Sequence, residues 1–377
     1  MTIILAGGIG RSGLGGQAWA YLQYLIGFRE LGHDIYYLED CGETSSVWDW
    51  DKEEWTQELD FPAAYVRDCL EPFGFKEKWI YRTTAESAGM SLEKLRAVCA
   101  RADLLIMRAI PLWDWRAEYD LPRRRIFIDV DPGFTQFQIA AGDKDFANAI
   151  RRAERLFTLG QRFGAQDCPV PVNGWDWHAT RPPVALSQWS FVEDDSATHF
   201  SSVMRWQGFD NVTFKGVSYG QKDIEFQQFM DLPRLSSQRF RIAMNGPDFL
   251  VQHGWEIVPG EMATRTPLAY RQFIQQSRGE FGVARNCYVR TRGGWFSDRS
   301  VCYQASGRPV LVQDTAAGDW LPLGQGAVAF ENLAGALAGL EKINANYGQH
   351  RRAARQLAEE YFSTDKVLSR LLADAIK

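Results

Sequence analysis

The sequence has no closely spaced cysteine pair. Its six cysteines stand at 41, 69, 99, 168, 287 and 302, so no CxxC redox motif and no zinc-like Cys/His spacing is present. Such scatter suits small, buried apolar residues in a reducing compartment, and it sets the expectation of a cytoplasmic protein. No apolar run reaches the roughly 18 residues of a membrane-spanning helix. The start, MTIILAGGIG, lacks the charged segment and long apolar stretch of a secretory signal. There is no excess of positive charge either. With 42 basic and 47 acidic residues the formal charge is −5, which argues against general binding to nucleic acid or to acidic membranes.

Apolar residues and length are present in quantity. At 377 residues and 45% hydrophobic, the chain can bury a core in each of two ordinary domains. Thr2 to Ala6 reads as a strand, Gly7 to Gly16 as a glycine-rich loop, and Ala18 to Leu31 as a helix closed by Gly32. Ile35 to Leu38 is the next buried strand. This β–loop–α–β unit opens a parallel sheet. Residues 41–62, acidic and Trp-rich, read as a surface excursion. Strands are expected at 104–107, 125–130 and 156–159. Prolines 169, 171, 182 and 183 mark a linker. The pattern then restarts, with strands at 212–214, 240–244, 255–258, 281–284 and 310–313 separated by helices. No short-period repeat is visible.

Residues 285–323 are the most informative. A Gly-containing loop, Arg292 to Phe296, runs into a helix start at Ser297-Asp298-Arg299-Ser300. A short helix follows, then Gly307-Arg308-Pro309, the strand Val310 to Gln313, and Asp314-Thr315. A helix N-terminus carries unpaired N–H groups and partial positive charge, a seat for phosphate. Arg299 beside it adds a bidentate donor.

This order of glycine loop, short helix, Ala-x-Gly-Arg-Pro-Val and strand resembles the donor region of GT-B glycosyltransferases, especially the group-1 set. The resemblance implies an α/β fold of two Rossmann-like domains facing across a cleft. It sets an acceptor-side domain at 1–180, a donor domain at 181–360, and a last helix, 361–377, packing back on the first domain. It also implies a nucleoside-diphosphate sugar as co-substrate, with no further cofactor. Group-1 enzymes carry two glutamates before the Gly-Arg-Pro. Gly294 and Cys302 stand at those positions here, and Asp298 lies between them.

Ligands of open α/β sheets bind beyond the carboxyl ends of strands. With the resemblance, that rule selects Lys222, Asn245, Arg285, Tyr288, Trp295, Ser297, Asp298, Arg299, Ser300, Asp314 and Thr315 for the donor. Gly13, Gly15 and Gly16 are expected on the sugar or acceptor side, where backbone must approach a ligand. Asp131 is the expected catalytic base, and His33 and His178 are discounted. Asp129-Val130-Asp131 is a literal D-x-D but lies in the acceptor half, so a metal-independent reaction is expected. Gly8-x-Gly10-x-x-Gly13 with Glu39 or Asp40 also fits a dinucleotide fingerprint, which keeps an NAD-dependent oxidoreductase as an alternative. A nucleotide-sugar epimerase and a non-catalytic nucleotide-sugar binder are the others. Donor sugar, acceptor, stereochemistry and oligomeric state are left open.

Overall fold

The computed structural model describes residues 1–43, 46–50, 52–109, 112–208 and 210–377. In chain order the first half contributes β1 (Thr2–Ala6), β2 (Asp34–Asp40), β3 (Val47–Asp49), β4 (Glu54–Thr56), β5 (Trp79–Arg82), β6 (Ser87–Gly89), β7 (Leu104–Arg108), β8 (Arg125–Asp129), β9 (Arg155–Thr158) and β10 (Trp177–Ala179). Eight of these form one sheet in the order β10-β9-β8-β7-β1-β2-β5-β6. All its pairs are parallel except β5 with β6. β1, β7 and β8 are covered on both faces, hence their near-continuous apolar runs TIILA, LLIMR and RIFID. The remaining pair, β3 and β4, is an antiparallel hairpin.

The second half contributes β11 (His199–Val203), β12 (Val212–Phe214), β13 (Val217–Tyr219), β14 (Arg239–Ala243), β15 (Glu256–Val258), β16 (Gly279–Gly282), β17 (Val310–Gln313) and β18 (Ala327–Phe330). Six of them form a wholly parallel sheet, β15-β14-β11-β16-β17-β18. The expected first strand of this half, Val212 to Phe214, is instead one arm of the hairpin β12–β13. The true first strand is β11. The proline-bearing linker also holds β10, which extends the first sheet at its edge.

Each sheet has one strand whose successors run off in opposite directions. β1 lies between β2 and β7, and β11 between β14 and β16. Such switch points open a crevice at the carboxyl ends of the strands.

One hydrophobic core runs from the first half through the C-terminal helix into the second half, joining Trp19 and Tyr24 to Leu368, Val301 and Tyr303. The helix Thr364–Ala375 packs on the helix Gly15–Glu30, and a Cβ on Gly27 would press into Leu368 at 2.6 Å. Two further contacts close the halves on each other. The N-terminus of the helix Gly15–Glu30 abuts the helix Pro267–Gln275, where a Cβ on Gly15 would overlap the Thr266 carbonyl. A Cβ on Gly16 would lie 2.8 Å from the Tyr270 ring. Trp19 Nε1 donates to Pro267 O at 2.7 Å. The second contact sets the helix Phe134–Ala140 against the helix Asn286–Thr291, with Phe134 edge-on to Tyr288 and Phe137 stacked on Tyr219 at 4.3 Å. Among the described residues no helix is long and apolar enough to cross a membrane.

Candidate functional site

The two switch points face one another across a cleft of 1070 Å³. Its first-half wall is the turn after β1, including Arg11 and Gly16, with Trp48, Trp50 and Trp55 of the β3–β4 hairpin. Its second-half wall comes from the segments after β11 and β14, including Trp206 and Asn245, together with Arg285, Asp298 and Arg299. This volume lies at the upper end of the ~300–1,000 Å³ range of ordinary small-molecule pockets.

The cations are placed by buried polar side chains. The backbone knits Gln221 to the helix Asn286–Thr291, since Asn286 N donates to Gln221 O (3.2 Å) and Cys287 N to Gly220 O (3.0 Å). Buried Glu225 accepts from Asn286 Nδ2 at 2.7 Å and from Gln313 Nε2 at 2.5 Å. Lys222, first residue of the helix Lys222–Phe226, is thereby fixed beside Arg285 and Arg299. Arg299 donates from Nε to the fully buried Glu280 (2.6 Å) and from Nη1 to Val203 O (2.8 Å). Its Nη2 makes no hydrogen bond among the described residues. Arg285 Nη1 reaches across to Asp131 Oδ1 of the first half at 2.5 Å, and Tyr288 OH donates to the same oxygen at 2.5 Å.

Three cations therefore meet, Arg299 paired with Glu280 and Arg285 with Asp131, while Lys222 has no carboxylate of its own among the described residues. Burial, then the charges of Arg299 and Arg285, hold the Lys222 ammonium well below its ordinary pKa, and Glu280 acts the other way. Lys222 has no ion pair or hydrogen bond among the described residues. A cation so placed is stabilised by an anion arriving from outside. The helix Asp298–Ala305 starts at the same wall, capped by Ser297, whose side chain accepts from Arg299 N at 3.2 Å. Asp298 is half-exposed to the cleft. Its Oδ2 stands 3.5 Å from Nη2 of Arg108, a buried guanidinium from the end of β7 that lies over the Tyr21 ring.

The structure divides the residues selected from the sequence. Asn245, Arg285, Asp298 and Arg299 line the cleft. Trp295, Ser297, Ser300, Asp314 and Thr315 line a separate gap of 20 Å³ beside the helix start, room for about one water. Trp295 stacks on Tyr288 at 4.3 Å, and the tryptophans of the cleft are Trp48, Trp50, Trp55 and Trp206. Asp314 accepts from Arg292 Nη1 at 3.2 Å, and Thr315 Oγ1 donates to Trp295 O at 2.5 Å. Gly15 and Gly16 serve the contact between halves, Gly16 also lining the cleft. Gly13 has φ +58°, and its carbonyl accepts from Trp50 Nε1 at 2.8 Å. Cys302 lies in the interface, 3.6 Å from Gln23 Nε2.

Glu39 fills the place a dinucleotide would need. Its carboxylate accepts from Gly10 N (2.9 Å) and Arg11 N (2.7 Å), the donors that a pyrophosphate would use at this loop. The side chain is fully buried and takes a third bond from Tyr37 OH at 2.7 Å. It holds the loop and faces no ribose. Asp129 is likewise internal: Thr135, Gln136 and Thr158 donate to its carboxylate, whose pKa burial raises to about 6.

No protein-family model matches the chain. No curated protein matches it either. Solved structures do. An alpha-glucosyltransferase (AGT) in complex with UDP superposes with a TM-score of 0.60 at 11% identity, over 100% of this chain and 99% of that one. An alpha-glucosyltransferase with UDP-glucose and DNA containing an abasic site gives 0.60 at 10% identity, over 100% and 99%. A structure described as trehalose-6-phosphate from E. coli bound with UDP-2-fluoro glucose gives 0.52 at 9%, over 99% and 98%. At these identities the likeness establishes the fold, which is the GT-B arrangement.

Proposed function

We propose that this chain is a glycosyltransferase that moves a sugar from a nucleoside diphosphate to an acceptor hydroxyl. The observation that carries the reading is the meeting of Lys222 with Arg285 and Arg299, two guanidinium groups that line the cleft between the switch points, at the start of the helix Asp298–Ala305. A diphosphate would give Lys222 an anionic partner and compete with Asp131 for Arg285. Neighbours of the same fold were solved with UDP or a UDP-sugar, so a UDP-linked hexose is the first donor to test. The division near residue 180 is part of the proposal, supported by the end of β10 at Ala179 and the start of β11 at His199. So is a cytoplasmic setting, supported by six unbridged cysteines.

In this reading the leaving diphosphate is stabilised by the three cations and the helix start, without metal. Asp298 receives sugar hydroxyls, oriented by Arg108. Asp131 is the base. Its Oδ1 is occupied by the Arg285 guanidinium and the Tyr288 hydroxyl. A diphosphate competes for the Arg285 guanidinium and releases Asp131 toward the acceptor, so donor binding precedes base activation. The tryptophans of the β3–β4 hairpin offer flat apolar faces to an acceptor.

Incubation with UDP-, dTDP- and GDP-sugars, with and without EDTA, tests this. Nucleotide release that persists in EDTA is expected. Release restored only by magnesium or manganese would overturn metal independence. Recovery of an epimerised nucleotide-sugar would favour the epimerase, and no turnover of any donor would leave a binder.

A further inference from the structure

A second cavity, of 180 Å³, lies away from the cleft, between the edge of the first sheet and the C-terminal helix. It is bounded by Gln161 and Thr180 on the sheet side, Arg181 of the linker, and Lys366, Arg370 and Asp374 of the helix Thr364–Ala375. Three cations surround it against one carboxylate, and that carboxylate is already engaged. Asp374 takes Lys377 Nζ at 2.7 Å and stands 3.8 Å from Arg370 Nε. Lys366 has no ion pair among the described residues. Arg181 is half-buried and has neither carboxylate partner nor hydrogen bond among them. Its guanidinium lies over Trp320 (5.0 Å) and Tyr361 (5.3 Å), and the residue lines the cavity.

We infer that this cavity is a second anion site, for a phosphate-type dianion, free or carried on a small molecule. At 180 Å³ it is too small for a nucleoside diphosphate, since pockets for larger ligands start at about 300 Å³. A planar guanidinium and two further cations match the oxygens of a phosphate. Burial and the charge of Arg370 depress the Arg181 pKa, consistent with a cation awaiting an anion. The position gives the site a consequence. Arg181 follows β10 in the linker, and Trp320 belongs to the second half, just past β17. An anion here ties the linker to the C-terminal helix through Arg181, on which Trp320 of the second half packs.

Calorimetric titration of the full chain with inorganic phosphate, and separately with glycerol phosphate, tests the inference, with thermal unfolding as a second readout. A saturable site that persists in Lys222→Met is expected, together with a rise in Tm as ligand accumulates. Binding should survive Lys222→Met, which changes a residue beside Arg285 and Arg299 and none that bounds this cavity. It should weaken about tenfold or more in Lys366→Gln/Arg370→Gln, whose side chains are exposed and whose loss leaves the Arg181 stacking intact. A phosphomonoester that binds more tightly than phosphate identifies a carried phosphate as the ligand, and equal affinities identify the free ion. Absence of saturable binding, equal binding by the double variant, or loss of binding in Lys222→Met would each overturn the second site.

Discussion

Replacing Lys222 by methionine should make the unliganded protein more stable and a worse binder of nucleotide. Lys222 is partly buried between Arg285 and Arg299, and no carboxylate contacts it among the described residues. Its pKa is held down by burial first and by those two guanidinium charges next. Each unit of depression corresponds to about 1.4 kcal/mol of destabilisation of the charged form. Methionine keeps the apolar stem and removes the charge, so a gain of about 1–2 kcal/mol is expected, or roughly 1–3 °C in Tm for a chain of 377 residues. The pH dependence has a definite sign. A lysine whose folded pKa lies below its unfolded value destabilises the fold at low pH. The penalty fades as pH rises through the folded pKa toward about 10.5, because the unfolded chain then binds more protons. The difference in Tm between variant and wild type should therefore be largest at the acid end of the range and shrink as the buffer is made alkaline. Loss of one charged hydrogen bond to the diphosphate should cost about 1.5–3 kcal/mol, or 10–150-fold in Kd for the donor nucleotide. Differential scanning fluorimetry across pH and calorimetric titration with UDP measure both sides. A lower Tm joined to unchanged UDP affinity would refute the reasoning, since Lys222 would then be a structural lysine.

Arg299→Ala should destabilise by about 3–5 kcal/mol, because it strands the buried Glu280 carboxylate; chemical denaturation should show most of the loss recovered in Arg299→Met/Glu280→Gln. Asp131→Asn should lower kcat about 10²–10⁴-fold while donor binding is unweakened or tighter, because the asparagine no longer holds Arg285 as an ion pair. A larger change in donor Kd than in kcat would make Asp131 a tether between the halves. Gly15→Ala should push the helix Gly15–Glu30 off the Thr266 carbonyl, lowering both Tm and kcat/KM, whereas Gly32→Ala, with open space at its Cβ, should leave kcat/KM intact.

The sequence made legible what is local. β1, β7 and β8 are apolar runs because both their faces are covered, and Ser297-Asp298 announces the helix they begin. β11 was hidden because its centre is polar. Ser201 and Ser202 are buried there, and Ser201 Oγ lies 2.5 Å from Ser277 Oγ and 2.7 Å from Tyr303 OH. The Val212–Phe214 run took its place because a hairpin arm carries the same β-branched and aromatic signature. The stretch 41–62 was read as an excursion, although Trp48-Asp49-Trp50 already alternates as a strand does. What one chain position cannot reveal is a partner far along the sequence. Asp131 and Arg285 are 154 residues apart, and Arg108 and Asp298 are 190 apart. Glu39 shows the reverse error: a correctly placed acid whose lone pairs are spent on its own loop.

A structure of the chain solved with UDP tests the central claim most directly. The account predicts the diphosphate at the start of the helix Asp298–Ala305, within hydrogen-bond reach of Lys222 and Arg285, with the Arg285–Asp131 contact lengthened. A diphosphate seated on the Gly7–Gly16 loop, or UDP bound outside the cleft, would contradict it.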